Sequence, residues 1–372
     1  MDADSSNQRI SRLTPLGEIL SLVEARAQPV RPREIPIETA LGSTLADDVV
    51  AASQLPPHAI ALRDGFAVEA ILFADAGPYV PVPLPPSVQR VDVGDPLPAS
   101  TDAVLPLDAV TRRHGRHESV VAVAPGEGIL PAGGDVAAHA ILRRVGDRVR
   151  AVDVAVFQAA GIDLVTVRAP RVGIAHASAA ATPVTNAALA ALTGMVARAG
   201  GLVADKPVEL SDALADDQFD AVIGVGGTGC GPRDISVQAL ARCGRVEAHG
   251  IAISPGETSA FGFASGRPVL LAPGRLDAAF AAWLLIGRPL IAKLAASKAD
   301  PAPLTLPLKR KVASAIGLTE LIPVGCAAGM VQPLASGYLS FEALARSDGW
   351  IVIPADSEGL QAGGLVAIEP WP

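Results

Sequence analysis

The sequence predicts a multidomain α/β plus β protein, on three observations. From Pro170 to about residue 297, strand-like and helix-like segments alternate, as when helices pack on a largely parallel sheet. Short β-like runs broken by proline and glycine fill 49–145 and again 304–372, the texture of compact β domains. The chain has 372 residues, 50% of them hydrophobic, which is length and apolar content for about two to four domains.

The elements follow in order. Thr14 and Pro15 read as a helix cap and first position, with Leu16, Ile19, Leu20 and Val23 on one face. Tyr79–Val82, Val88–Val93 and Ser119–Val123 are the β runs of the 49–145 domain. Val152–Gly161 reads as a short helix leading into a strand at Leu164–Val167. The α/β region then offers strands at Val172–Ala175, Phe219–Val225, Val246–Ile253 and Val269–Leu271. Its helices are Asn186–Ala199, Ile235–Arg242 and a long one, Asp277–Ala296, interrupted near Pro289. A proline-containing linker, 297–303, precedes β runs at Leu304–Leu308, Ile351–Ile353 and Val366–Ile368. The expected domains are 1–48 with 146–168 (helical and linker), 49–145 (β-rich), 169–297 (α/β) and 304–372 (β). With aromatics at only 3%, the cores are expected to be small aliphatic layers.

The most informative stretch is Phe219–Asp234, FDAVIGVGGTGCGPRD. It reads as a buried strand, a glycine turn and a helix start. Gly226, Gly227, Gly229 and Gly231 permit positive φ and close approach of a ligand. Pro232 suits a first helical turn and Asp234 a cap. A helix N-terminus after a strand presents free N–H groups to an anion, so a phosphorylated small molecule is the expected ligand class. Two more glycine loops follow strands, at Ser254–Glu257 and Ala272–Arg275. In an open α/β sheet such loops meet at one crevice. Gly224–Gly229 also fits G-x-G-x-x-G, with Glu247 placed for a ribose. That keeps a dinucleotide enzyme as an alternative. No G-K-[ST] follows, so a P-loop is excluded.

Net charge is −8 with no long basic run, which argues against a general nucleic-acid binder. Cys230, Cys243 and Cys326 form no CxxC pair, so neither a zinc ribbon nor a disulfide framework is indicated. The polar start shows no secretory signal. Leu276–Ile286, the most apolar helical candidate, is too short to span a bilayer. A cytoplasmic protein without membrane or nucleic-acid partners is expected.

Several segments together carry a family resemblance. GVGGTGCGPRD, ISPGETSAFG and LLAPGRLDAAF resemble, in order and spacing, the molybdopterin-binding domain of the molybdopterin molybdenumtransferases, the family that includes the gephyrin E domain. LPPHAIALRDGFAV (55–68), GDPLPASTDAVLPLD (94–108), PGEGILPAGGDV (125–136) and SGYLSFEALARSDGWIVIP (336–354) are similar to its flanking segments. The resemblance covers most of the chain. It implies a four-part protomer with a molybdopterin-binding α/β/α three-layer domain, flanking β-rich domains and a C-terminal β-barrel domain. It also implies a homodimer, adenylylated molybdopterin or molybdopterin as ligand, molybdate and Mg2+. Partners among other cofactor-biosynthesis proteins are a further implication. Asp64 and Asp234 take roles near the cation and phosphates, Asp64 in the partner subunit's site. Gly226, Gly227, Thr228, Gly231, Pro255, Gly256, Pro273, Gly274 and Arg275 line up as the ligand cradle, and Asp135 is retained.

The departures are chemical. Ser254 and Thr258 stand where the family's K-P-G-K-P loop has its end residues, and Glu257 replaces its second lysine. Ala177–Ala180 replaces T-G-D-E, Gly229 a serine, Arg275 an asparagine and Leu130 an arginine. A lysine about 4 Å from a phosphate gains roughly 4 kcal/mol at an effective dielectric of about 20. A helix N-terminus contributes only about 0.3–1 kcal/mol. Arg275, Arg233 and Arg267 are the cations available to compensate. Molybdate insertion is therefore expected to be weak while pterin binding partly survives. The alternative is an inactive pterin-binding or carrier protein of the same fold.

Overall fold

The computed structural model describes residues 8–113, 115–177, 182–204, 206–298 and 303–372. It divides into two compact units. One runs to Asp47 and adds Val145–Ala155 and Asp163–Pro372; the other holds Asp48–Arg144 and Val156–Ile162.

The larger unit begins with α1, Leu16–Arg26, which buries Ile19 and Val23. Thr14 is not its cap. The Thr14 N–H donates to Gly250 O, and Thr14 O accepts from Ala252 N–H, so this residue bridges to 250–252. The chain passes between the units through α2, Ala151–Ala159. The α/β layer then follows. α3, Pro183–Arg198, starts as the sequence chemistry dictates: Thr182 accepts from Thr185 N–H, and Pro183 takes the first turn, where it costs no hydrogen bond. Its buried stripe is Ala188, Leu189, Leu192 and Val196.

Strands Arg171–His176, Ala221–Val225 and Arg267–Ala272 lie side by side and parallel. Two short parallel strands, Leu202–Val203 and Val208–Glu209, flank the first. Ala260–Ala264 and Gly244–His249 extend the other side antiparallel. Ala221–Val225 is buried throughout. A Cβ on Gly224 would sit 2.8 Å from Leu271 Cδ2 and 3.0 Å from Leu210 Cδ1, so a larger residue there would make these leucine side chains shift. Leu210 belongs to α4, Leu210–Ala215, and α5 is Ser236–Cys243. The core is largely alanine, valine and leucine, with Trp283 the largest fully buried side chain.

The long helix expected at 277–296 is three successive pieces: α6, Leu276–Ala282, a π-helical turn at Trp283–Gly287, and α7, Arg288–Leu294. Pro289 lacks the N–H that an α-helix would direct at residue 285, and the widened turn lies there. The strand expected at 246–253 also divides. Gly250 takes φ +92, and Ile253–Ser254 leaves the α/β sheet to pair in parallel with Thr319–Glu320. That second sheet runs through Thr319–Ala327, Gly349–Ile353, Leu365–Pro370 and Leu304–Pro307. Its core holds Ile322, Val324, Ile351 and Ile368.

The smaller unit is built of short antiparallel sheets. One joins Gln89–Val91, Gly65–Val68 and Ala103–Pro106. Another joins Val82–Pro83, Arg116–Ser119 and Val110–Arg113. Tyr79, expected in a strand, is 98% exposed. The strands at 65–68 and 103–106 are not visible in the sequence pattern: each is only four residues long, with Gly65 opening one and Pro106 closing the other. Among the described residues no helix is long and apolar enough to cross a membrane.

Candidate functional site

The parallel strands aim their carboxyl ends at one crevice, as open α/β sheets do. A cavity of about 510 Å³ lies there. His176 and Val225 end two of the strands and line it. Gly226 and Gly227 turn away with φ of +95 and +66. Gly226 N–H donates to Ala272 O at 2.8 Å, which ties this turn to the end of the neighbouring strand. A Cβ on Gly274 would lie 3.4 Å from Gly226 Cα, so the two glycine turns touch backbone to backbone.

The helix N-terminus at this cavity is not the expected one. α5 follows the glycine loop, but its first N–H groups are already occupied. Gln8 Oε1 accepts from Val237 N–H at 2.7 Å and Gln238 N–H at 3.1 Å. Its Nε2 donates to the carbonyls of Gly227 and Gly229, at 3.0 and 2.9 Å. The buried Gln8 amide thus fills the place where an anion was predicted. α6 begins at the cavity, with Leu276 and Asp277 in the wall, and so does α3, with Thr182, Val184 and Thr185. The N-terminal dipole of α3 favours an anion by about 0.3–1 kcal/mol.

Among the sequence-predicted residues, Gly226, Gly227, Asp234, Gly274 and Arg275 line the cavity, with Arg233 beside them. Asp234 is a turn residue. Its carboxylate accepts from Gly231 N–H at 2.8 Å, and α5 starts only at Ser236. Thr228, Gly231 and Pro273 are not among the lining residues, and Thr228 instead meets Thr258 Oγ1 at 3.1 Å. Pro255 and Gly256 also lie outside the lining. Two of the three expected loops line the cavity; the third, Ser254–Glu257, lies next to them, with Thr258 meeting Thr228, but outside the lining, and Ile253–Ser254 before it pairs in the other sheet. Gly256 packs against Ile253 and the carbonyl of Ala278. Glu257 Oε2 accepts from Gly256 N–H at 3.1 Å and is not in the cavity wall. Arg267 is at the opposite end of its strand.

Asp64 belongs to the smaller unit, where its carboxylate accepts from Val93 N–H at 2.9 Å. Asp135, in the same unit, donates its N–H to Leu55 O. Of Ala177–Ala180, only Ala177 is within the described residues; Ser178, Ala179 and Ala180 lie outside them. The dinucleotide alternative loses its geometry. Its glycines should open a helix, yet Gly229 and Gly231 precede α5 in a turn, and Glu247 pairs with Arg26 and Arg245.

Sequence reasoning missed Asp277, Tyr338 and Phe341. Asp277 is 2% exposed. It accepts from Arg275 Nε at 3.2 Å and Nη2 at 3.0 Å, from Ala278 N–H at 2.9 Å and from Leu339 N–H at 3.3 Å. The Asp277 hydrogen bond above all holds the Arg275 proton more tightly than usual, against an opposing effect of burial. The Arg275 guanidinium lies 4.7 Å from the centre of the Tyr338 ring. The signal for Asp277 was its place in the first turn after Pro-Gly-Arg. Nothing local in the sequence marked the tyrosine.

Three family models match in chain order. They are the MoeA N-terminal region (domain I and II) over residues 14–161, the model described as a probable molybdopterin binding domain over 180–293, and the MoeA C-terminal region (domain IV) over 305–371. The chain belongs to the MoeA family. A Methanocaldococcus jannaschii protein named for molybdopterin biosynthesis is 27% identical, over 90% of this chain and 91% of its own. Molybdopterin molybdenumtransferase 1 of Mycobacterium tuberculosis is 24% identical over 93% and 96%. The MoeA fold is matched in a crystal structure of the Pyrococcus horikoshii OT3 moeA protein. Its TM-score is 0.73 at 24% identity, over 97% of this chain and 100% of that one. Most residues lining the cavity fall within the segment 180–293 that matches this domain model, while His176, Tyr338 and Phe341 fall outside it.

Proposed function

We propose that this chain binds a phosphorylated pterin, molybdopterin or its adenylylated form, in the cavity at the carboxyl ends of the parallel strands. There it serves the insertion of molybdate during molybdenum cofactor biosynthesis, with reduced turnover. The carrying observation is the pair of touching glycine turns at Gly226 and Gly274, flanked by Arg233 and Arg275. Backbone in close approach suits a ligand's phosphate and ring edges, and arginine forks suit phosphate and molybdate oxygens. Two cations face two carboxylates, Asp234 and Asp277, in this wall, so the field on an oxyanion is modest. That supports weak insertion.

Magnesium is usually held by one or two carboxylates and by substrate phosphates. Among the described residues no three His, Cys, Asp or Glu side chains gather as a metal site. Asp277 is committed to Arg275 and two N–H groups, whereas Asp234 has one oxygen beyond its Gly231 bond. The residues therefore fit magnesium as a companion of the substrate's phosphates, with Asp234 the protein ligand. The ion would neutralise phosphate charge. We further propose a cytoplasmic homodimer in which Asp64 serves the partner's site. Light scattering at micromolar concentration tests the dimer, and a monomer removes that role for Asp64.

Mass spectrometry of small molecules released from the purified protein tests ligand class. A pterin phosphate is the expected result; a bound dinucleotide, or no pterin after loading with molybdopterin, overturns it. An insertion assay with adenylylated molybdopterin, molybdate and magnesium tests turnover. A rate equal to that of a relative with the full lysine and Asp-Glu motifs contradicts the weak-insertion proposal.

A further inference from the structure

We infer that Arg275, Tyr338 and Phe341 form a preformed clamp for a flat heteroaromatic ring carrying a phosphate. This rests on the pterin-phosphate proposal and assigns its recognition to side chains that the glycine motifs do not include. Exposure is the first observation. Tyr79, Tyr338 and Phe341 are the aromatic residues among the large exposed side chains, and two of these three, 61% and 55% exposed, line this one cavity. In a chain with 3% aromatics, that pairing places scarce π faces where a ligand enters.

The second observation is how firmly the clamp is held. Buried Glu320 accepts from Ser336 Oγ at 2.7 Å and Gly337 N–H at 2.8 Å, fixing the turn before Tyr338. Leu339, fully buried, donates its N–H to Asp277. The backbone on both sides of Tyr338 is thus held by buried carboxylates. Ser340 then caps α8, Phe341–Ala345, which sets Phe341 at the helix start. Arg275 is fixed by the same Asp277, through Nε and Nη2, and stacks on Tyr338. The Tyr338 side chain is a further hydrogen-bond partner of Arg275, and the guanidinium hydrogens not taken by Asp277 and Tyr338 are the ones to meet a phosphate oxygen. A clamp ordered before binding loses little side-chain entropy when the ligand arrives.

Each part answers to a different piece of ligand. The rings take a heterocycle by stacking, and the guanidinium takes the phosphate. Titration of the full chain with AMP, adenosine, 6-hydroxymethylpterin and inorganic phosphate separates them. Tyr338→Leu is expected to weaken AMP and adenosine or pterin binding about tenfold and leave inorganic phosphate unchanged. Tyr338→Phe, which keeps the ring, should restore most of it. Arg275→Lys, which keeps the charge but loses the fork and the stack, should weaken AMP about tenfold and adenosine little. Preference for AMP over the pterin identifies the adenylyl ring as the occupant, and the reverse identifies the pterin; either agrees with the clamp. If the parent protein binds AMP or pterin and both Tyr338→Leu and Arg275→Lys bind it equally well, the clamp is wrong while the pterin-phosphate site stands. If the parent protein binds none of the ring compounds, both fall. Unchanged thermal midpoints exclude unfolding as the cause of a loss.

Discussion

Arg267 and Arg275 bracket one strand, and the two ends use the same side chain differently. At the amino end, Arg267 gives Nη2 to Leu214 O at 2.6 Å and Nη1 to Asp216 O, closing the end of α4. At the carboxyl end, Arg275 is held by a carboxylate and a ring face beside a cavity. Carbonyls at a helix end satisfy a guanidinium as structure. A carboxylate and a ring orient it and leave guanidinium hydrogens for a ligand. Position along a parallel strand thus separates a structural arginine from a binding candidate, since crevices form at carboxyl ends.

Removing what orients each arginine should show the difference, beginning with Asp277→Ala. Ala278 N–H and the buried Leu339 N–H lose their acceptor, and Arg275 loses its partner. Arg275 is 58% exposed, so water softens the unpaired charge. We expect a loss of about 2–4 kcal/mol in stability, mainly from the orphaned N–H groups. Phosphate binding should fall as well. Denaturant unfolding with a parallel ligand titration checks both; an unchanged midpoint breaks the claim that Asp277 organises this end.

Arg267→Ala should cost about 1.5–3 kcal/mol, since the carbonyls of Leu214, Asp216 and Phe219 lose charged donors. Ligand affinity of the folded protein should not move. A loss of AMP or phosphate binding larger than about twofold, at full folding, would show that the amino end also serves the site, against the comparison.

How far the sequence showed this depends on the element. The parallel strands were legible because long buried runs such as Ala221–Val225 carry their own signal. The glycine turns at 226 and 274 were legible for the same reason as any backbone that must pass close to another. The division at Gly250 was not, because Val246–Ile253 is uniformly β-prone and only the pairing of Ile253–Ser254 with Thr319–Glu320 decides its sheet. Pro255 and Gly256, which follow that pair, stand outside the cavity wall. Gln8 was invisible for another reason. Its partners lie 219 to 230 residues away, and nothing in a polar N-terminal stretch marks one amide as buried. Tyr338 likewise enters the cavity through long-range contacts.

Gln8→Ala sharpens the comparison at the neighbouring strand end. It removes an acceptor from two α5 N–H groups and a donor from two loop carbonyls. Water can refill part of this site, so the expected cost is about 1–2 kcal/mol. If the amide merely occupies an anion site, the variant should gain affinity for inorganic phosphate at α5. If it braces Gly227, pterin binding should weaken. Calorimetric titration with phosphate and with pterin tells the two apart.

Arg233 supplies the smallest structural effect and the cleanest contrast. It is exposed, lines the cavity, and among the described residues makes no hydrogen bond or ion pair. Its rotamers are therefore unrestricted, and a ligand must order it at an entropic cost of about 0.5–1.5 kcal/mol. Arg275 has that ordering done for it by Asp277. Arg233→Ala should accordingly change stability by no more than about 0.5 kcal/mol. Phosphate affinity should drop only a few-fold, with a steep salt dependence, because a mobile exposed charge is screened within about 10 Å at 0.1 M salt. The loss from Arg275→Lys should persist at higher salt, since what it removes is geometry and stacking rather than net charge. Titrations of both variants with AMP at two salt concentrations decide the point. If the two respond to salt alike, orientation by Asp277 and Tyr338 gives Arg275 no advantage, and the distinction between a held and a free arginine fails at this site.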